Sequence, residues 1–186
     1  LANVLRNSDE VDPLRLAAWQ HLQQQVAAKP RSQWHRAQLA ELMLTLRDGN
    51  VHQGVAMLEE LHNEFPSVPQ HKYRLACASE RLGAMLRHVP AQQKDAERSL
   101  RRAVQLLSEL TRDFPDTPDY HSHLAAALDG LMSLPRSVVQ LEEARQLIDV
   151  AIERQRAAVQ ASPAHRQYRE HLAAHYGNLA TVLEQL

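Results

Sequence analysis

The stretch from Phe114 to Leu131, FPDTPDYHSHLAAALDGL, decides the architecture. It opens on a Phe-Pro pair and runs through Thr117-Pro118-Asp119 into Leu124-Ala125 and then Leu131. Thr117 suits a helix N-cap, Pro118 the first helical turn, and Asp119 the positive end of the helix dipole. Leu124 and Leu131 stand seven residues apart, two helical turns, so they share one face. The pattern predicts a helix from Pro118 to about Leu134.

The same marks recur along the chain. Pro30, Pro66, Pro115 and Pro163 are each followed, nine residues on, by Leu-Ala: Leu39-Ala40, Leu75-Ala76, Leu124-Ala125 and Leu172-Ala173. Seven residues after each of these leucines comes another, at Leu46, Leu82, Leu131 and Leu179. The units are spaced 36, 49 and 48 residues apart. Leu61 to Pro66 (LHNEFP) is echoed by Leu110 to Pro115 (LTRDFP), and Tyr120 and Tyr168 both precede their Leu-Ala by four. Self-similarity at such a period is the signature of a stacked repeat.

Each unit reads as two helices. In the third, the second helix runs from about Gln140 to Ala161, with Leu141, Ala144, Ile148, Ala151 and Ile152 at three-four spacing. It stops near Ser162 because a residue before proline resists the α conformation. In the first full unit a short Asp48-Gly49-Asn50 turn joins the helices; in the next two, both the loop and the second helix are longer, the helix by about two turns. The expected organisation is one domain over residues 1–186: repeats at about 30–65, 66–114 and 115–162, with partial repeats at 1–29 and 163–186.

These residues resemble the tetratricopeptide repeat (TPR). Its Leu-Gly/Ala pair, then Ala, a large apolar residue, Ala and a closing proline, correspond to Leu124-Ala125, Ala144, Ile148, Ala151 and Pro163, and one unit earlier to Leu75-Ala76, Ala96, Leu100, Ala103 and Pro115. The first unit departs, with Gly54, Leu58 and Leu61 in its second helix. The 48–49 residue variant looks like the long-period arrays behind bacterial serine/threonine kinase domains and in other large bacterial multidomain proteins. The kinase motifs themselves are not in this sequence. The resemblance implies an all-α, right-handed α-solenoid of antiparallel helical hairpins, about eight or nine helices, in which stacked hairpins share the core that one hairpin cannot bury alone.

Composition narrows the function classes. Hydrophobic residues make up 44% of the 186 residues, enough for a folded core, and aromatics only 4%. The net charge is −1 and the basic residues do not gather in one segment, so no nucleic-acid partner is expected. The segment Lys94 to Arg102 alternates basic residues with Asp95 and Glu97 and reads as a solvated helix face. The one cysteine, Cys77, lies between alanines and reads as a small buried filler. No apolar run is long enough to span a bilayer, so no membrane partner is expected. The expected compartment is cytoplasmic. Helical spacing offers no nucleophile elbow or oxyanion nest, so the chain reads as a non-enzyme with no cofactor.

The resemblance also implies where a protein or peptide partner would sit: on the groove lined by the first helix of each hairpin. Its positions fall on Trp34, Glu41 and Thr45 in the first unit, and on Gln70, Tyr73, Cys77, Glu80 and Arg81 in the second. They fall on Asp119, Ser122, Ala126 and Asp129 in the third, and on Gln167, Glu170, Ala174 and Asn178 in the fourth. The Lys and Asn set that clamps a peptide carboxylate in chaperone-binding members is missing except for Asn178. His171 and His175, four apart on one helix face, are a weak candidate metal pair; no third ligand is evident, and no metal is expected. The chain is expected to start and stop inside repeats, because Leu1-Ala-Asn-Val-Leu5 echoes Leu179-Ala-Thr-Val-Leu183. Leu172, Leu179, Val182, Leu183 and Leu186 are therefore expected to form an open apolar end, suited to a longer array or to end-to-end self-association.

Overall fold

Alternating apolar stripes and prolines fold the described residues into eight α-helices. The structure, a computed structural model, describes residues 13–45, 51–137 and 139–185. The elements are α1 (Pro13–Ala28), α2 (Gln33–Thr45), α3 (Val51–Glu64), α4 (Pro69–Leu86), a 3-10 turn (Pro90–Gln92), α5 (Gln93–Asp113), α6 (Pro118–Met132), α7 (Leu141–Ala161) and α8 (Arg166–Gln185). No strand occurs among the described residues. The fold is all-α, built of antiparallel helical hairpins of TPR-like form. The Asp48-Gly49-Asn50 turn, Leu46, Leu1 to Leu5 and Leu186 lie outside the described residues.

Two compact units divide the chain, Leu1–Ala78 and Ser79–Leu186, with the boundary inside α4. In the first, α1 packs on α2 and α2 on α3. Its core is Ala37, Leu39, Ala40, Leu58, Leu61, Leu75 and Ala76, all at most 3% exposed. Gly54 lets α3 press on α2, for a Cβ there would stand 2.9 Å from the Ala40 carbonyl oxygen. In the second unit α5 packs on α6, α6 on α7 and α7 on α8. Ala96, Leu100, Ala103, Leu107 and Leu110 form the buried stripe of α5, and Ala144, Ile148, Ala151 and Ala158 that of α7. The three-four spacing of those residues puts them on one face, which is why these helices form and why they lie where they do.

The second helix of the hairpin lengthens from 14 residues in α3 to 21 in both α5 and α7. Both long helices end at a residue before proline, Phe114 and Ser162. Helix α6 ends at Met132 rather than at Leu134. Ser133 still bonds back to Asp129, but Leu134 precedes Pro135, so it leaves the helix and buries its side chain in the turn, bonding through its N–H to Leu131. Thr117 sits at the N-cap of α6 in an extended conformation, but its side chain makes no capping bond. Pro118 leaves one fewer orphan N–H to cap, and the first turn is tied instead by the His121 Nε2–H donating to the Pro115 carbonyl at 2.8 Å.

Candidate functional site: the first-helix face

The first helices of successive hairpins, α2, α4, α6 and α8, carry the positions expected to meet a partner. Five of these side chains, Glu41, Glu80, Asp119, Asp129 and Asn178, already have a use: they tie one first helix to the next. In the first unit the Glu41 carboxylate on α2 stands 2.9 Å from Arg74 Nε on α4, beside rather than along its N–H. The His71 Nε2–H on α4 donates to Gln33 Oε1 on α2 at 2.8 Å. Arg36, 8% exposed, turns the other way and clamps α3 through Glu64 at 2.5 Å and Glu60 at 3.4 Å.

The second unit repeats the device with different residues. His123 Nδ1–H on α6 donates to Glu80 on α4 at 2.8 Å. The Tyr168 hydroxyl on α8 donates to the Asp119 carboxylate on α6 in a short hydrogen bond. Asp129 on α6 accepts from Asn178 Nδ2 at 2.7 Å and from His175 Nδ1 at 3.3 Å, both on α8. Burial alone would raise the Asp129 pKa, and it is the largest single effect. The two hydrogen bonds and the charges of His175 and Arg87 together outweigh it, so the carboxyl stays below its ordinary range. The Tyr168 phenol is pushed up to about 12, first by burial and then by its bond to Asp119 and that carboxylate's charge.

The sequence positions therefore separate. Trp34 is 61% exposed, edge-on to His35 with ring centroids 5.0 Å apart. Gln70, Arg81 and Gln167 are exposed as well. Glu41, Glu80, Asp119, Asp129 and Asn178 are engaged between helices as described, and Tyr73 is half-buried. Glu170 is held by Arg166 at 2.6 Å on its own helix. Thr45, the last residue of α2, donates its hydroxyl back to the Leu42 carbonyl at 2.7 Å. Ser122 is 6% exposed, beneath the reach of a partner, because it follows His121 into the core side of α6. Ala126 is half-buried and Ala174 exposed. Cys77 is half-buried where a filled core position was expected.

His171 and His175 share a face of α8 as their spacing implies. The His171 pKa is lowered, first by burial and then by the nearby His175 and His123, against the smaller pull of Glu80 and Glu170. No group of three His, Cys, Asp or Glu side chains suited to a metal ion occurs among the described residues. At the chain's last helix, Leu183 is 47% and Tyr176 46% exposed, and Leu172 and Leu179 are half-buried. Val182 is 1% exposed: it faces inward and is not part of an open end.

Sequence reasoning missed the partners His71, Arg74, His123 and Tyr168. One signal was present. The position five residues after each unit's opening proline holds a ring, at His35, His71, Tyr120 and Tyr168. In two units the phenylalanine before that proline packs on it, Phe65 on His71 at 6.1 Å and Phe114 on Tyr120 at 6.2 Å. The Lys94 to Arg102 segment is also more than a solvated face, because Arg101 bridges α5 to Glu143 of α7 at 2.7 Å while bonding Glu97 at 2.8 Å. Those two bonds hold its guanidinium firmly in the charged form. Between α5 and α7 a cleft of about 280 Å³ opens over Leu124 and Leu128, with Val104 and Val150 as its walls.

No helix among the described residues is long and apolar enough to cross a membrane. No protein-family model matches the sequence. No curated protein matches it. Among solved structures, the chain is similar to the MamA RS-1 ArsTM double mutant, a TPR-type helical repeat. The TM-score is 0.61 at 14% identity, over 92% of this chain and 86% of that one. At that identity the likeness is one of fold, and it is the helical-repeat fold that the prolines and Leu-Ala pairs imply.

Proposed function

We propose that this chain is a non-catalytic scaffold that binds a protein or peptide partner on its first-helix face. The observation that carries the reading is the exposed Trp34 beside side-chain links, Glu41–Arg74 and Gln33–His71, that hold α2 and α4 together beneath it. An exposed aromatic on a surface held firm by such links is the composition of a binding hot spot. In the first unit Gln70 supplies a polar contact, with Tyr73 as a half-buried second aromatic; the second unit offers Arg81 and Gln167 on its own first helices. Glu80, Asp119, Asp129, Glu170 and Asn178 act in this reading as struts of the surface, with Thr45 and Ser122 beneath it. The TPR-like fold supports a protein partner at this coarse level. The further reading, a module of a larger bacterial, kinase-linked protein, rests on the 48–49 residue period alone.

The test is selection of peptides from a displayed library on the intact chain, followed by affinity measurement on Trp34→Ala and Arg81→Glu. Selected peptides should lose about tenfold or more in affinity with Trp34→Ala, the penalty for removing a hot-spot aromatic. Binders indifferent to both substitutions would sink the reading.

A second reading, end-to-end self-association through α8, is favoured by the exposure of Leu183 and Tyr176 on one helix. Light scattering should then show a mass that rises with concentration, abolished by Leu183→Glu. A concentration-independent monomer removes this reading and leaves the first untouched.

A further inference from the structure

We infer that the α2–α4 seam of the first unit is acid-labile, with His71 as its proton-sensitive element: above neutral pH the ring latches α4 to α2, and mild acid releases the latch. The device is a property of the fold and holds whatever the first-helix face binds.

His71 is 5% exposed. Its Nε2–H is spent on Gln33 Oε1 at 2.8 Å. Its Nδ1 is buried with no hydrogen-bond partner. The ring is therefore held as one neutral tautomer. A second proton would go on Nδ1, creating a buried N–H with no acceptor, a costly arrangement in a low-dielectric site.

The neighbours make that proton costlier still. From α2 comes Arg36, from α3 His62, and from α4 itself Arg74, all acting against a positive ring. Phe65, in the turn between α3 and α4, covers the ring at 6.1 Å and keeps water from it. The carboxylates of the seam are already taken, Glu41 by Arg74 and Glu60 and Glu64 by Arg36. Burial is the leading cause, and Arg74, His62 and Arg36 add to it, in holding His71 below the ordinary histidine pKa of 6.5.

The sign of the effect follows. A group whose folded pKa is depressed contributes stability that is complete above its unfolded value of 6.5 and is lost as pH falls through the folded value. Protonation at Nδ1 leaves the Nε2–H donor to Gln33 in place but puts a buried, unpartnered positive charge in the seam, and so favours its opening where Gln33 and His71 meet, directly beside Trp34 and Gln70. His175 makes the contrast clear. It too is 5% exposed with one ring nitrogen unpartnered, but its other nitrogen faces the Asp129 carboxylate. His71 has only a neutral amide.

The experiment is urea unfolding of wild type and His71→Gln at pH 7.5 and pH 5.0. Glutamine keeps a donor for Gln33 and cannot take up a proton. Wild type should lose more of its unfolding midpoint between the two pH values than His71→Gln does. Equal losses would overturn the proposal. His171 titrates in both proteins and cancels in the comparison. A second measurement needs no variant: in wild type, the His71 ring resonances, assigned through their contacts to the Phe65 ring, should titrate with a midpoint below 6.5. A midpoint at or above 6.5 would overturn the proposal even if His71→Gln does not fold.

Discussion

Tyr168 shows how one side chain can join two repeats. Its hydroxyl donates to Asp119, 49 residues earlier in the chain, while its backbone carbonyl accepts from Gln155 Nε2 at 3.0 Å, a glutamine with no exposure at all. Tyr168→Phe should cost about 1 kcal/mol in chemical unfolding, the usual net worth of one hydrogen bond. The alkaline side is more diagnostic. A phenol raised to about 12 in the fold, against an ordinary 10, stabilises the chain fully below pH 10, and that contribution is lost between pH 10 and about 12. Absorbance titration should therefore show one of the four tyrosines ionising near pH 12 while the chain is folded, and Tyr168→Phe should remove that step. A full set of tyrosines titrating near 10 in the folded chain would contradict the Asp119 bond. The ring at this position was legible from Tyr120 and Tyr168 preceding Leu-Ala by four. Its partner was not, because Asp119 is reached across a helix–helix contact whose rotation and offset no local spacing encodes.

At the scale of the element, two glycines make opposite predictions. Gly83 of α4 lies over Leu100 of α5, and a Cβ there would stand 2.5 Å from Leu100 Cγ and 3.0 Å from the Ala96 carbonyl. Leu100 cannot withdraw, for it is fully buried and Gly130 of α6 presses on it from another side, at 2.8 Å from a Cβ to Cδ2. Gly83→Ala gains about 1 kcal/mol of helix propensity but forces an overpacked contact costing about 1–3 kcal/mol, so a net loss is expected. Gly177 of α8 has nothing within 4 Å of its Cβ position. Gly177→Ala should gain the propensity alone, about 1 kcal/mol. Urea midpoints moving in opposite directions support close helix approach at Gly83; parallel shifts would refute it. Helix α5 illustrates what local sequence does encode at this scale. Its buried face, its length beyond α3 and its stop before Pro115 were all readable, because three-four periodicity and the pre-proline restriction act within one helix. The shorter end of α6 was not, since Leu134 leaves the helix to fill the core under the turn, a gain that exists only once neighbours are in place.

Within each unit of the whole molecule, helices pack on their neighbours in sequence, α1 on α2 and α2 on α3, then α5 on α6, α6 on α7 and α7 on α8. Contacts that close short loops cost little entropy to form, and such helical proteins refold in about microseconds to milliseconds. Stopped-flow dilution from urea should find the main refolding amplitude within milliseconds; a dominant phase of seconds would mean that longer-range docking limits folding. The same nearest-neighbour logic explains the division of labour between sequence and structure. The sequence by itself determined the helices, their pairing into TPR-like hairpins and their apolar faces, because those depend on periodicity, proline and short connections. Only the tertiary structure decided which groove positions are surface and which are struts. Whether Asp129 faces a partner or receives His175 and Asn178 depends on how two helices 46 and 49 residues apart in sequence lie side by side, and side-chain hydrogen bonds are set by that distance and angle rather than by the order of residues.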